Sequence, residues 1–174
     1  MRFMSWFKKA ETPAPRPARP GAVSVCALLS EKAVIIDGPS EKRALLQALV
    51  ERSCEAHGVG DCEALVKKVL EREEGISTTL DTGLSLPHAR LDNLAEFRAA
   101  IAICSRGIPD PKQPELKIRV MFLFFSPNKQ EAFVHHLQLL RSVASLFQPE
   151  LIDALTRAGS PKAALELIKA AESK

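Results

Sequence analysis

Four histidines, His57, His88, His135 and His136, and four cysteines, Cys26, Cys54, Cys62 and Cys104, are the residues of this chain best suited to chemistry. No two cysteines form a C-x-x-C pair, and none stands at metal-ligand spacing from a histidine. Reduced thiols on apolar faces are therefore their expected state. A metal site is not expected, because H-x-x-x-H and H-E-x-x-H are both missing. Hydrolysis through a serine elbow lacks its G-x-S-x-G. Phosphoryl transfer through a histidine nucleophile asks for less. It needs an accessible neutral imidazole, a positive or hydrogen-bonding group for the phosphoryl oxygens, and a shape that admits a partner protein. His88 with His136 and a nearby arginine can supply all three.

The four histidines differ in placement. His57 stands beside Gly58 at an expected helix end, where a basic group complements the helix dipole. His88 follows Pro87 at the end of an expected strand, where the restricted backbone aims the imidazole and α/β folds often build their crevice. His135 and His136 are adjacent on a helix, about 100° apart, so they cannot face one site together. His136 belongs to the rim of the apolar stripe and His135 to the solvent side.

The elements that must position these groups follow from periodicity and punctuation. Ala33–Asp37 is a short strand ended by Gly38-Pro39. Ser40 is the expected N-cap of a helix carrying Leu45, Leu46, Leu49 and Val50 and ending near His57-Gly58. Asp61 caps a second helix, which runs out at Glu73-Glu74-Gly75. A Thr- and Ser-rich loop from Ile76 leads into a strand at Gly83–Leu86, halted by Pro87. Phe97–Cys104 is a strand, and Ile108–Pro114, with three prolines, a loop. The run Ile118–Phe125 predicts a central strand buried on both faces. Gln130–Phe147 predicts a helix with a stripe at 133, 137, 140, 143, 144 and 147. Pro149 opens a short helix, and Ser160-Pro161 starts the last one. Strands and helices interleave, so the class is α/β.

Composition bounds the setting. Apolar residues make up 46% and charged residues 26%, the balance of a soluble globular protein. No run approaches the roughly 20 apolar residues of a membrane span, and the first residues lack a secretory cleavage site. A cytoplasmic protein is expected. The net charge is +3, but residues 1–21 hold Arg2, Lys8, Lys9, Arg16 and Arg19 against Glu11, a balance of +4. That segment, with four prolines in residues 13–20, is expected to be a flexible basic tail, and residues 22–174 the domain. The domain is left at −1, which gives no argument for nucleic acid binding. No cofactor motif is present.

The stretch Arg72–Arg90, REEGISTTLDTGLSLPHAR, resembles the active-site signature of the phosphotransferase-system enzyme IIA domains of the fructose/mannitol type, which includes the nitrogen-regulatory enzyme IIA proteins. His136–Phe147, HLQLLRSVASLF, is similar to the family's second block, and the resemblance spans about residues 24–173. It implies a mixed β-sheet flanked by helices. It implies that His88 accepts a phosphoryl group from the phosphocarrier HPr, that His136 helps to hold it, and that Arg72 supports the site. Enzyme IIB of a sugar phosphotransferase system is then the next acceptor. A regulatory protein-binding module, phosphorylated or degenerate, is the alternative. Thr79 and Asp81 stand where the family usually has Gly, and Ser85 where it has Ala. A loop glycine often marks a positive φ, so loop shape is where a departure is expected.

Overall fold

A computed structural model of the protein describes residues 23–174. The expected Pro-rich tail, 1–21, lies outside the described residues. The chain forms β1 (Val34–Ile36), α1 (Lys42–His57), α2 (Cys62–Gly75), β2 (Leu84–Ser85), β3 (His88–Leu91), β4 (Arg98–Asp110), β5 (Gln113–Pro127), α3 (Gln130–Leu146), α4 (Pro149–Leu155) and α5 (Pro161–Glu172). The sheet is mixed. β4 and β5 are an antiparallel hairpin, β1 lies parallel to β4, and β2 and β3 lie parallel to β5.

The alternation of β5 divides the core in two. Val120, Phe122 and Phe124 face one side with Ile101 and Ile103 of β4, against Leu139, Val143, Phe147, Ile152, Leu155 and Ile168 of α3, α4 and α5. Met121, Leu123 and Phe125 face the other with Ala100 and Ala102, against Leu45, Leu46, Leu49, Val50 and Val69 of α1 and α2. Helices on both faces leave the centre of β5 dry throughout, as its unbroken apolar run requires.

Four expectations are corrected. Ile108–Pro114 is no loop: the hairpin continues through it and turns only at Pro111-Lys112. Its prolines are tolerated because β1 and β2 stop at Ile103 and Val120, which leaves these arms without a third strand. Pro87 interrupts the strand rather than ending it. β2 and β3 run along the same edge of β5, and Phe124 N–H donates to the Pro87 carbonyl (3.2 Å). The edge position makes a missing N–H cheap, so His88 opens a strand. Glu41, not Ser40, caps α1, its carboxylate accepting from Arg43 N (3.1 Å) and Ala44 N (3.2 Å). The buried face of α3 carries His136, Leu139 and Val143, while Phe133 and Leu137 are exposed. A polar histidine inside the apolar face hid this from a hydrophobicity pattern.

Candidate functional site

His88 enters from the edge strand and pairs in register with Phe124. Its ring stacks on the Phe124 ring, with centroids 5.3 Å apart and planes 12° from parallel. Nδ1 lies 2.9 Å from the Leu86 carbonyl oxygen, which only accepts, so Nδ1 carries the proton and donates. Nε2 is then the lone-pair nitrogen, and the Arg72 guanidinium, at the C-terminal end of α2, donates to it through Nη2 (3.0 Å). Arginine has no lone pair to offer, so these two contacts fix one tautomer.

His136, 5% exposed, sits with its ring 5.3 Å from that of His88. Its Nδ1 is 2.6 Å from Oγ of the buried Ser126. That hydroxyl has no other side-chain partner among the described residues. Had it accepted from Nδ1–H, its own proton would be buried without an acceptor. Ser126 therefore donates, and Nε2 of His136 bears the hydrogen. Phe133, one turn earlier, stacks on His136 (6.3 Å, 10°) and lies under the Arg90 guanidinium (5.0 Å). Arg90 donates to the Lys129 carbonyl (3.0 Å).

Both site imidazoles are held neutral. Burial pushes the His88 pKa below its ordinary value and Arg72 adds to this, against the Leu86 carbonyl and the Glu73 carboxylate. Burial, helped by His88, Arg90 and Arg72, pushes His136 down to about 4. At neutral pH the arrangement is an oriented nucleophile with a guanidinium on its lone pair and a second neutral imidazole ring beside it. That set suits nucleophilic acceptance of an anionic group.

The structure brings His88, His136 and Arg72 together, from β3, α3 and α2. His135 is exposed on α3, and His57 donates from Nε2 to the Ala99 carbonyl (3.0 Å), a structural bond. The cysteines are free thiols, three half-buried and Cys104 buried. Thr79 and Asp81 cause no backbone strain: among the described residues Asp37 alone combines a side chain with positive φ. Sequence reasoning missed Phe124, Ser126 and Arg90. The period of two along β5 could have found Ser126, which shares a face with Phe124. No group of three or more His, Cys, Asp or Glu among the described residues is placed to hold a metal ion. Nor is any described helix long and apolar enough to cross a membrane.

Residues 27–171 match the model of the family described as phosphoenolpyruvate-dependent sugar phosphotransferase system, EIIA 2. A phosphotransferase-system fructose-specific EIIA component of Haloferax volcanii is 24% identical over 131 residues, which are 75% of this chain and 84% of that one. Nitrogen regulatory protein IIA-Ntr from Neisseria meningitidis superposes with a TM-score of 0.70 at 18% identity, over 83% of this chain and 98% of that one. Enzyme IIA for mannitol from Escherichia coli, in its complex with phosphorylated enzyme IIB for mannitol, gives 0.69 at 17% identity, over 82% and 97%. The two structural likenesses establish a shared fold.

Proposed function

The chain belongs to the EIIA 2 family of the phosphoenolpyruvate-dependent sugar phosphotransferase system, and from that premise we propose that it is a phosphocarrier whose acceptor atom is Nε2 of His88. The phosphoryl group comes from HPr and passes on to an enzyme IIB. The observation that carries this reading is the pair of bonds on the His88 ring, Nδ1–H to Leu86 O and Arg72 to Nε2.

The step follows from that pair. The Nε2 lone pair forms a bond to phosphorus as the donor's bond to phosphorus breaks, and the donor's group leaves with that electron pair. The proton on Nδ1 stays. The ring gains positive charge, which the Leu86 carbonyl stabilises through Nδ1–H. Arg72 gives up the lone pair it holds in the resting site and donates to the arriving phosphoryl oxygens. His136 Nε2–H is a second donor beside them. Arg72 is already at Nε2 before the group arrives, so little reorganisation opposes transfer. Docking is supported by exposed apolar side chains that flank the site in sequence. These are Ile76 on the segment after α2, and Phe133, Val134 and Leu137 on α3.

The test is incubation of the full chain with enzyme I, HPr and phosphoenolpyruvate, followed by intact mass and then by addition of enzyme IIB. The reading expects one acid-labile phosphate that disappears in His88→Ala and discharges onto enzyme IIB. A phosphate that forms but does not move on to enzyme IIB would favour the regulatory module. No phosphate on folded wild type with a competent HPr contradicts the phosphocarrier reading and leaves the degenerate binding module.

A further inference from the structure

Next to Arg72 in the chain, Glu73 belongs to a second polar cluster to which the phosphotransfer step assigns no part. Asp110, at the tip of the β4–β5 hairpin, is completely buried. Its Oδ2 accepts from Lys42 Nζ (3.0 Å), Ser77 Oγ (2.7 Å) and Thr79 Oγ1 (2.5 Å), and its Oδ1 from Lys112 N (2.9 Å). Glu73, the residue after Arg72, is 7% exposed. Its Oε1 accepts from Thr78 Oγ1 (2.8 Å), and its Oε2 lies 3.4 Å from Lys42 Nζ. Lys112 Nζ donates to the Glu73 carbonyl (3.0 Å) and also to that of Glu74. The start of α1, the end of α2, the segment 77–79 and the hairpin tip thus meet on two carboxylates.

Arg72 itself is exposed, and among the described residues His88 is its one hydrogen-bonded partner. A long free side chain holds a 3.0 Å contact only if its backbone is fixed at the right distance. We infer that Asp110 is a positioning residue for phosphoryl acceptance: with Lys42 and Glu73 it pins the last turn of α2 so that Arg72 reaches Nε2 of His88. Thr79 is part of that device, its hydroxyl supplying a donor that a glycine lacks. The inference rests on the phosphocarrier reading.

The experiment uses the full chain with Asp110→Ala and Thr79→Val, each alone and combined with Arg72→Ala. One readout is the initial rate of phosphate gain from phosphorylated HPr; the other is the NMR titration of the His88 ring. Asp110→Ala is expected to slow phosphate gain about tenfold and Thr79→Val about threefold, and each by less than about twofold once Arg72 is absent. The His88 titration should move upward in Asp110→Ala, as in Arg72→Ala. Equal fold-losses with and without Arg72, or an unmoved titration, would overturn the inference. If Asp110→Ala does not fold, the same comparison is made with Thr79→Val. A wild type that takes no phosphate contradicts the phosphocarrier reading alone, and the titration still decides the positioning role.

Discussion

Two polar clusters lie on either side of Arg72 and Glu73, and they are built to opposite specifications. On the Asp110 side the carboxylate is fully enclosed and meets four donors. Burial alone would raise its pKa, but the Thr79, Lys112, Ser77 and Lys42 donors outweigh this and hold it below the ordinary carboxylate range. On the His88 side the groups are only partly satisfied. Arg72 is exposed with one hydrogen-bonded partner among the described residues, and Nε2 of His88 holds a lone pair that an incoming group can claim. A closed cluster fixes backbone, because every member would lose a buried partner on moving. An open one can exchange partners, which transfer requires. On the proposed reading, adjacent residues of one helix end, Arg72 and Glu73, serve the two purposes.

The largest effect that sharpens this contrast is on transfer. His88→Ala should abolish phosphate gain, read by intact mass, while leaving the melting temperature close to wild type. Arg72→Ala should slow transfer by about 10²–10³-fold, the usual loss for one oriented donor, with stability changed by less than about 0.5 kcal/mol. The closed side should behave in reverse order. Lys42→Met leaves Asp110 and Glu73 buried without their cation, so denaturant titration should find a loss of about 3–5 kcal/mol. A small stability loss there, or a large one in Arg72→Ala, would contradict a closed cluster beside an open one.

Smaller effects concern His136. Its pKa in the folded protein lies near 4, below the ordinary 6.5, so the unfolded chain binds the proton more readily. The stability this confers is complete above about pH 6.5 and is lost as pH falls through about 4, by an amount of order 2–3 kcal/mol. Denaturant midpoints between pH 7 and 4 measure it, and His136→Gln should flatten the curve. Ser126→Ala should have the least effect, about 1 kcal/mol in stability together with a mixture of His136 tautomers visible in nitrogen chemical shifts.

What could be read from the sequence follows the range of the interactions. The α/β class, the buried β5 and the caps at Asp61 and Ser160 were legible, since each rests on residues within a turn or a strand of one another. His88, His136 and Arg72 were legible as a signature, but their contact was not, because it depends on three elements meeting. Asp110 falls in the Pro-rich segment 108–114, which the sequence marks as loop, and its partners Lys42, Ser77 and Thr79 lie 68, 33 and 31 residues away. The prolines around it suggested irregular chain, but the tip of a hairpin free of further strands accommodates them. Thr79 stands where the resembled family usually has glycine, and a departure in loop shape is the expectation there. Its backbone is ordinary, and its hydroxyl belongs to the closed cluster.

The proposed acceptor atom is Nε2, not Nδ1, of His88, presented by Leu86 and Arg72. The direct measurement is long-range proton–nitrogen and nitrogen–phosphorus NMR on nitrogen-15-labelled protein phosphorylated through HPr. Phosphorus bonded to Nε2 of His88, with Nδ1 still protonated, is expected. A phosphorus–Nδ1 bond on His88, or phosphate on another side chain, would contradict it.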